Sequence, residues 1–193
     1  MMNDEESRVV YVGQEGTVDT VVEALRNDAV VVLPCDTIYG LCAKVGPRTQ
    51  KALYDLKSRD QRKPFLQIAT LEQAEEICEV PEDIKAVWPC ALTCVMKNRN
   101  GKGTTAVRVP KDAFLQEVLK ELGGPMYSTS VNMSGSSTLT NMTDIIVTFN
   151  GKVGLFVVDG EMQGTVPSTL IDCTVHPYRI LRQGSYDVRS LIR

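Results

Sequence analysis

At 193 residues, with 43% hydrophobic and 23% charged side chains, the chain has the makeup of one globular domain, which excludes wholesale disorder. A formal net charge of -3 argues against a generic nucleic-acid coat and leaves room only for a local basic pocket. No apolar stretch approaches the roughly 20 residues that span a bilayer. The acidic start "MMNDEESRVV" carries neither a secretory apolar region nor an Arg/Ser-rich transit helix, so a cytoplasmic protein with no membrane partner is expected.

In chain order, "RVVYV" (8–12) predicts a first strand. In "TVDTVVEALRNDA", Val18, Val21, Val22 and Leu25 recur at i, i+3, i+4 and i+7, the spacing of an amphipathic helix with Thr17 as its N-cap. The apolar run 30–33 predicts a buried strand that ends at Pro34 and delivers "CDTIYGL" as a polar strand end. Pro47 after Gly46 opens a second helix, with Ala52, Leu53 and Leu56 as its buried stripe and its end near Lys57. "FLQIA" (65–69) predicts a strand, and Thr70 with Gln73 forms a capping box for a short helix through Cys78. A further helix is expected from Pro81 to just before Pro89.

"ALTCVMK" and "TAVRVP" predict two strands joined by the turn "NRNGKG". Phe114, Leu115, Val118, Leu119 and Leu122 mark a helix closed by Gly123 and Gly124. "MYSTSV" predicts a strand running into the loop "NMSGSSTLT", "DIIVTF" a helix, and 154–158, 169–173 and 178–182 three short strands. Strands and helices mix without strict alternation, which predicts an α/β or α+β domain around one twisted, mostly mixed sheet with flanking helices. The six cysteines include no C-x-x-C pair and there is a single histidine, so zinc-site spacing is absent and buried free thiols are expected.

Six polar clusters fall at predicted strand or helix ends. They are "CDTIYGL"; "LKSRDQRKPF", with Lys57, Arg59, Arg62 and Lys63; "TTAVRVP", with Arg108 inside an apolar strand; "STSVNMSG"; "PSTLID"; and "ILRQG", with Arg182. Ser128, Ser130 and Asn132 alternate at period two and so share a face. Taken singly, a basic loop is a solvated surface, a Ser/Asn loop is a turn, and an Arg in a strand pairs with an acid or snorkels. Taken together, cations and hydroxyl or amide donors at strand ends suit a triphosphate and a small carboxylate. "NGKGTT" lacks the spacing of a phosphate loop, and no serine lies in a nucleophile setting with His176.

"PCDTIYGL", "KSR…KP" and "STSVNMSG" resemble the P-T-D-T-x-Y-G-L, K-x-R…K-P and T-S-x-N-x-S-G signatures of the YrdC-type threonylcarbamoyl-AMP synthases. "WPCALT" is similar to that family's W-P-G-P-L-T, and "VRVP", "PSTLID" and "ILRQG" follow in the family's order, so the resemblance covers about residues 10–184. It implies the short, single-domain form, and a twisted α/β sheet with a deep, positively charged concave cleft. It also implies a nucleotidyltransferase that joins L-threonine, bicarbonate and ATP into threonylcarbamoyl-adenylate and pyrophosphate. That product would feed a threonylcarbamoyl transferase complex acting on tRNA.

On this resemblance Lys57 and Arg59 are the catalytic pair at the phosphates. Ser130, Asn132, Arg182 and, less centrally, Thr104 contact the nucleotide. Thr37, Tyr39, Arg108, Ser128 and Ser168 contact threonine, with Arg108 on its carboxylate. Truncation of Lys57 or Arg59 is then expected to lower turnover about 100- to 1,000-fold with the fold intact. Mg²⁺ is expected on the phosphates, with no protein metal site. Cys35 stands where the family has Thr, and a thiol is the weaker hydrogen-bonding group, so either that contact is softer or another group covers it. The rival readings are a non-catalytic double-stranded RNA or tRNA-binding module and a carbamoyl-adenylating relative of the hydrogenase-maturation carbamoyltransferases.

Overall fold

The computed structural model describes residues 7–159 and 166–192; the acidic start at 1–6 lies outside the described residues. The first half runs β1 (Arg8–Tyr11), α1 (Thr17–Arg26), β2 (Val31–Cys35), β3 (Ile38–Lys44), α2 (Pro47–Lys57), β4 (Leu66–Ile68), α3 (Leu71–Ile77) and α4 (Glu82–Val87). The second half runs β5 (Leu92–Lys97), β6 (Thr104–Arg108), α5 (Ala113–Leu122), β7 (Met126–Ser130), α6 (Met142–Phe149), β8 (Leu155–Val158), β9 (Thr169–Asp172) and β10 (Arg179–Arg182). The strands form one sheet in the order β1-β8-β2-β3-β7-β4-β6-β5-β9-β10. It is mixed: β8 lies parallel to β1 and β2, β4 to β6 and β5 to β9, and the other neighbours are antiparallel.

β2 is buried along its whole length because both faces of the sheet are covered there, which turns period-two alternation into a continuous apolar run. Val31, Leu33 and Cys35 point to the cluster under α1 and α5. Val30 and Val32 point to the cluster under α2 and α6. A third cluster packs α3 and α4 against Cys94, Val107 and Ile171 of β5, β6 and β9. The cavity lies on the sheet face that α1 and α5 cover, beyond those two helices.

Most expected elements form, including the Thr70–Gln73 capping box and the helix at 142–149. Three details differ. Thr17 is the first residue of α1 and not its cap; Gly16 caps in a left-handed conformation (φ 75°), while the Thr17 hydroxyl donates to the Tyr11 carbonyl at 2.9 Å. β2 does not end at Pro34, because its ladder with β8 reaches only Val32 and a missing N–H on that edge is harmless. "IYGLCAK" is a full strand, β3, paired antiparallel with β2 through a two-residue connection, Asp36–Thr37. All six cysteines are free, four of them buried. Among the described residues no helix is long and apolar enough to cross a membrane.

Candidate active site

Cross-strand partners share a face of a sheet, and one row of partners crosses half of this one. Ile68 opposes Arg108, Arg108 opposes Thr93, Thr93 opposes Leu170, and Leu170 opposes Arg182 across an irregularity in β10. On the same face a neighbouring row pairs Leu66 with Ser128, and Gly40 pairs with Ser130. Register thus gathers residues 142 positions apart over one concave surface. A cavity of about 280 Å³ lies on it, extending from β2 to β10 in sheet order.

Thr37, Tyr39, Arg59, Arg108, Ser128, Ser130, Ser168 and Arg182 line this cavity, so eight of the eleven expected site residues come together. The other three do not line it. Thr104 is exposed at the opposite end of β6 from Arg108, roughly 13 Å along the strand. Lys57 and Asn132 lie behind the wall, each bonded to the other.

Lys57 differs most from expectation. It is 1% exposed. Its ammonium donates to the carbonyls of Ser130 (2.5 Å) and Asn132 (2.6 Å) and to Asn132 Oδ1 (2.9 Å), which fills its three donor positions. In return its own carbonyl accepts the Ser134 N–H at 3.0 Å. Ser130 Oγ donates to Asn132 Oδ1 (2.7 Å), and Asn132 Nδ2 donates to the Ser136 carbonyl (2.6 Å). Lys57 therefore ties the end of α2 to the turn after β7 and holds Ser130 at the cavity. Burial, aided by the Arg59 charge, lowers the lysine from 10.5 to about 8.

Ser58, left-handed at φ 49°, reverses the chain after α2 and sends Arg59 the other way. Arg59 lies over the Phe65 ring, 5.1 Å from its centroid, and donates Nε and Nη2 to the Lys63 and Pro64 carbonyls. Its Nη1 has no partner among the described residues. Arg62 forks onto Asp60 at the exposed surface and does not line the cavity.

Arg108 is 3% exposed. Its Nη1 donates to Asp36 Oδ1 (2.7 Å) and Thr37 Oγ1 (2.9 Å), and its Nη2 to the Cys35 carbonyl (3.1 Å). Its Nε is buried without a hydrogen-bond partner among the described residues. Arg182 donates Nε and Nη2 to the Ser168 carbonyl (3.2 and 2.8 Å). Burial and the Arg108 charge both depress Arg182 below its ordinary value, but a guanidinium keeps its proton at any physiological pH. Among the described residues no Asp or Glu lines the cavity. Of the three lining arginines, Arg108 is paired with Asp36, whereas Arg59 and Arg182 have no carboxylate partner among the described residues.

Ser168 Oγ lies 2.8 Å from Thr93 Oγ1, which pins "PSTLID" to β5. Tyr39 is committed to a backbone: its hydroxyl donates to the Asp159 carbonyl and accepts the Asp159 N–H, both at 3.1 Å. Gly40 is required by close approach, since a Cβ there would stand 2.8 Å from Ser128 Oγ and 2.9 Å from Cys35 Sγ. Cys35 Sγ lies 3.7 Å from Cys42 Sγ and 3.9 Å from Ser128 Oγ. The hydrogen bond from Cys42 draws the Cys35 thiol down against its burial, and the same bond pushes Cys42 up. Ser128 thus supplies a hydroxyl within reach of the place where Cys35 lacks one.

Two residues of this machinery were not foreseen as site residues. Asp36 pairs with Arg108 across 72 positions, and Thr93 pairs with Ser168 across 75. The available signals were an acid at the end of an otherwise apolar run, and the last residue of "WPCALT". For a metal, the donor set is poor: no group of three or more His, Cys, Asp or Glu fit for an ion occurs among the described residues.

Residues 23–184 match the Sua5/YciO/YrdC family, described as telomere recombination. The chain is 29% identical over 182 residues to a Pyrococcus abyssi protein named threonylcarbamoyl-AMP synthase, covering 86% of the chain and 54% of that relative. It is 30% identical over 186 residues to a human protein of the same name, covering 84% of the chain and 65% of the relative. The crystal structure of P. abyssi Sua5 complexed with L-threonine superposes with a TM-score of 0.86 at 27% identity, over 95% of this chain and 58% of that one. The chain spans about half the length of the first two curated relatives, 54% and 51%.

Proposed function

The chain belongs to the Sua5/YciO/YrdC family, and from that membership we propose that it is a threonylcarbamoyl-AMP synthase. The reaction joins L-threonine, bicarbonate and ATP into L-threonylcarbamoyl-adenylate, with loss of pyrophosphate and water. The observation that carries this reading is the cavity itself: Arg59, Arg108 and Arg182 with Ser128, Ser130 and Ser168 on one face, and no carboxylate lining it among the described residues.

The threonine amine first adds to bicarbonate with loss of water, giving a carbamate. A carbamate oxygen then attacks the α-phosphorus of ATP, and the bond to the β-phosphate breaks to release pyrophosphate. Every reactant is an anion or becomes one, so the protein holds like charges together and stabilises the charge that grows on the phosphates. Arg108 holds the threonine carboxylate, because Nε and one N–H of Nη2 have no partner among the described residues. Thr37 acts through Arg108, its hydroxyl being already bonded to that guanidinium. Tyr39 contributes its ring. Ser128 serves the amino acid.

Arg59 and Arg182 serve the phosphates, and Ser130 the nucleotide. Lys57 and Asn132 support Ser130 from behind the wall, so Lys57 acts by positioning. Among the described residues the cavity lining offers Mg²⁺ no carboxylate. An ion arriving with ATP is held by phosphate oxygens and water, and no step here depends on it.

The product is a mixed anhydride of a carbamic acid and a phosphate, an activated acyl donor. Its receipt by a threonylcarbamoyl transferase complex that modifies tRNA, in the cytoplasm, completes the proposal. The test is pyrophosphate release with each of the three substrates omitted in turn and no RNA present. Dependence on all three supports the synthase. Release that continues without threonine, or that needs carbamoyl phosphate in place of threonine and bicarbonate, removes it.

A further inference from the structure

Asp36 occupies the first position of the two-residue connection between β2 and β3, with φ 47°. Glycine, asparagine and aspartate are the usual occupants of such a left-handed position, the last two because a short polar side chain can bond locally. The turn is held in place by the carboxylate. Oδ1 accepts from Arg108 Nη1 at 2.7 Å, and Oδ2 accepts the backbone N–H of Lys111 at 3.1 Å. Asp36 thereby bridges the hairpin, the buried arginine and the segment that leads into α5. Beside it, Thr37 takes the second bond of Nη1, and the Cys35 carbonyl takes one of the two that Nη2 can give.

Both terminal nitrogens of Arg108 thus face the hairpin, and Nε is enclosed without a partner among the described residues. An aspartate at the tip of the hairpin, bonded to a buried arginine that keeps Nε and one N–H of Nη2 without partners among the described residues, is more than a surface ion pair. We propose that Asp36 is a positioning residue: it anchors the Arg108 guanidinium on the Lys111 backbone, so that a small rotation about this anchor offers Nε to the carboxylate of an amino-acid substrate. This role rests on the reading of Arg108 given above.

The test compares wild type with Asp36→Gly and Asp36→Asn. Glycine accepts the positive φ and removes the carboxylate, so a fall in melting temperature is not expected from the backbone. Asparagine keeps the shape and removes the charge. In each, the KM for threonine is expected to rise about tenfold or more, as for loss of a charged hydrogen bond, while the KM for ATP stays within about twofold.

¹⁵N NMR of the Arg108 side chain is expected to show separate Nη resonances in wild type and averaged ones in Asp36→Gly, independent of any turnover. Separate resonances in the glycine variant, or an unchanged threonine KM, overturn the proposal. So does a parallel rise of both KM values with a lowered melting temperature, which marks a purely structural pair. If wild type makes no adenylate but the resonances average in the variant, the anchor stands and the synthase reading fails.

Discussion

Lys57→Ala separates scaffolding from chemistry. The side chain is almost fully enclosed, and its ammonium holds three oxygens of the turn after β7. Truncation removes three buried methylenes beyond Cβ, about 2.4 kcal/mol, and orphans part of the acceptor set, about 1–3 kcal/mol. The burial that lowers the lysine to about 8 is relieved at the same time and offsets part of this loss. A net destabilisation of about 2–4 kcal/mol follows, which for a chain of this size lowers the melting temperature by roughly 5–15 °C.

Lys57→Met keeps the apolar stem and loses only the donors, so its melting temperature falls less. In both variants Ser130 loses its support and the KM for ATP rises. Thermal unfolding by circular dichroism, alongside pyrophosphate release on the same samples, reads both effects. A Lys57→Ala protein with the wild-type melting temperature and a 100- to 1,000-fold lower kcat would refute this reasoning, since it would place the ammonium on the substrate.

Ser128→Ala is expected to raise the threonine KM by roughly fivefold to tenfold, the worth of one neutral hydrogen bond, whereas Cys35→Ser changes it little or lowers it; the reverse order would assign the contact to Cys35. Burial holds the Asp36 carboxyl above its ordinary 3.8 against the pull of Arg108. As pH falls through that raised value, Asp36 takes up a proton and Arg108 loses its charged partner, so the threonine KM rises at a pH above 3.8. Asp36→Asn lacks this acid limb, and identical pH profiles would exclude the link. In Gly184→Ala, the new methyl collides with the backbone of Pro167 and Ser168. It is expected to destabilise the protein by about 1–3 kcal/mol and to displace Ser168 from Thr93, which a crystal structure of the variant reads directly.

The helices were legible because burial on one side of a helix leaves a 3.6-residue period, as Val18, Val21, Val22 and Leu25 do in α1. Local chemistry also read correctly where it was self-contained, as in the capping box of α3. β3 was not legible: its five central residues are buried on both faces, so it shows no alternation, and its Asp-Thr connection is not a common hairpin turn. Thr17 misled because its hydroxyl is recruited by Tyr11, a contact set by the path of the preceding turn.

Within the site, residue type identified the cations but not their surroundings. Lys57 and Arg59 are two positions apart, and a single left-handed serine sends one into the protein and the other to the cavity. The pairing of Asp36 with Arg108 depends on sheet order, which brings β2 and β6 to the same wall from distant parts of the chain.

The most direct measurement is mass spectrometry of the nucleotide product formed from L-threonine, ATP and ¹³C-bicarbonate. The account predicts an adenylate that contains threonine, carries the carbon label and appears together with pyrophosphate. An adenylate without the label, or ATP turnover that leaves threonine unmodified, would contradict it.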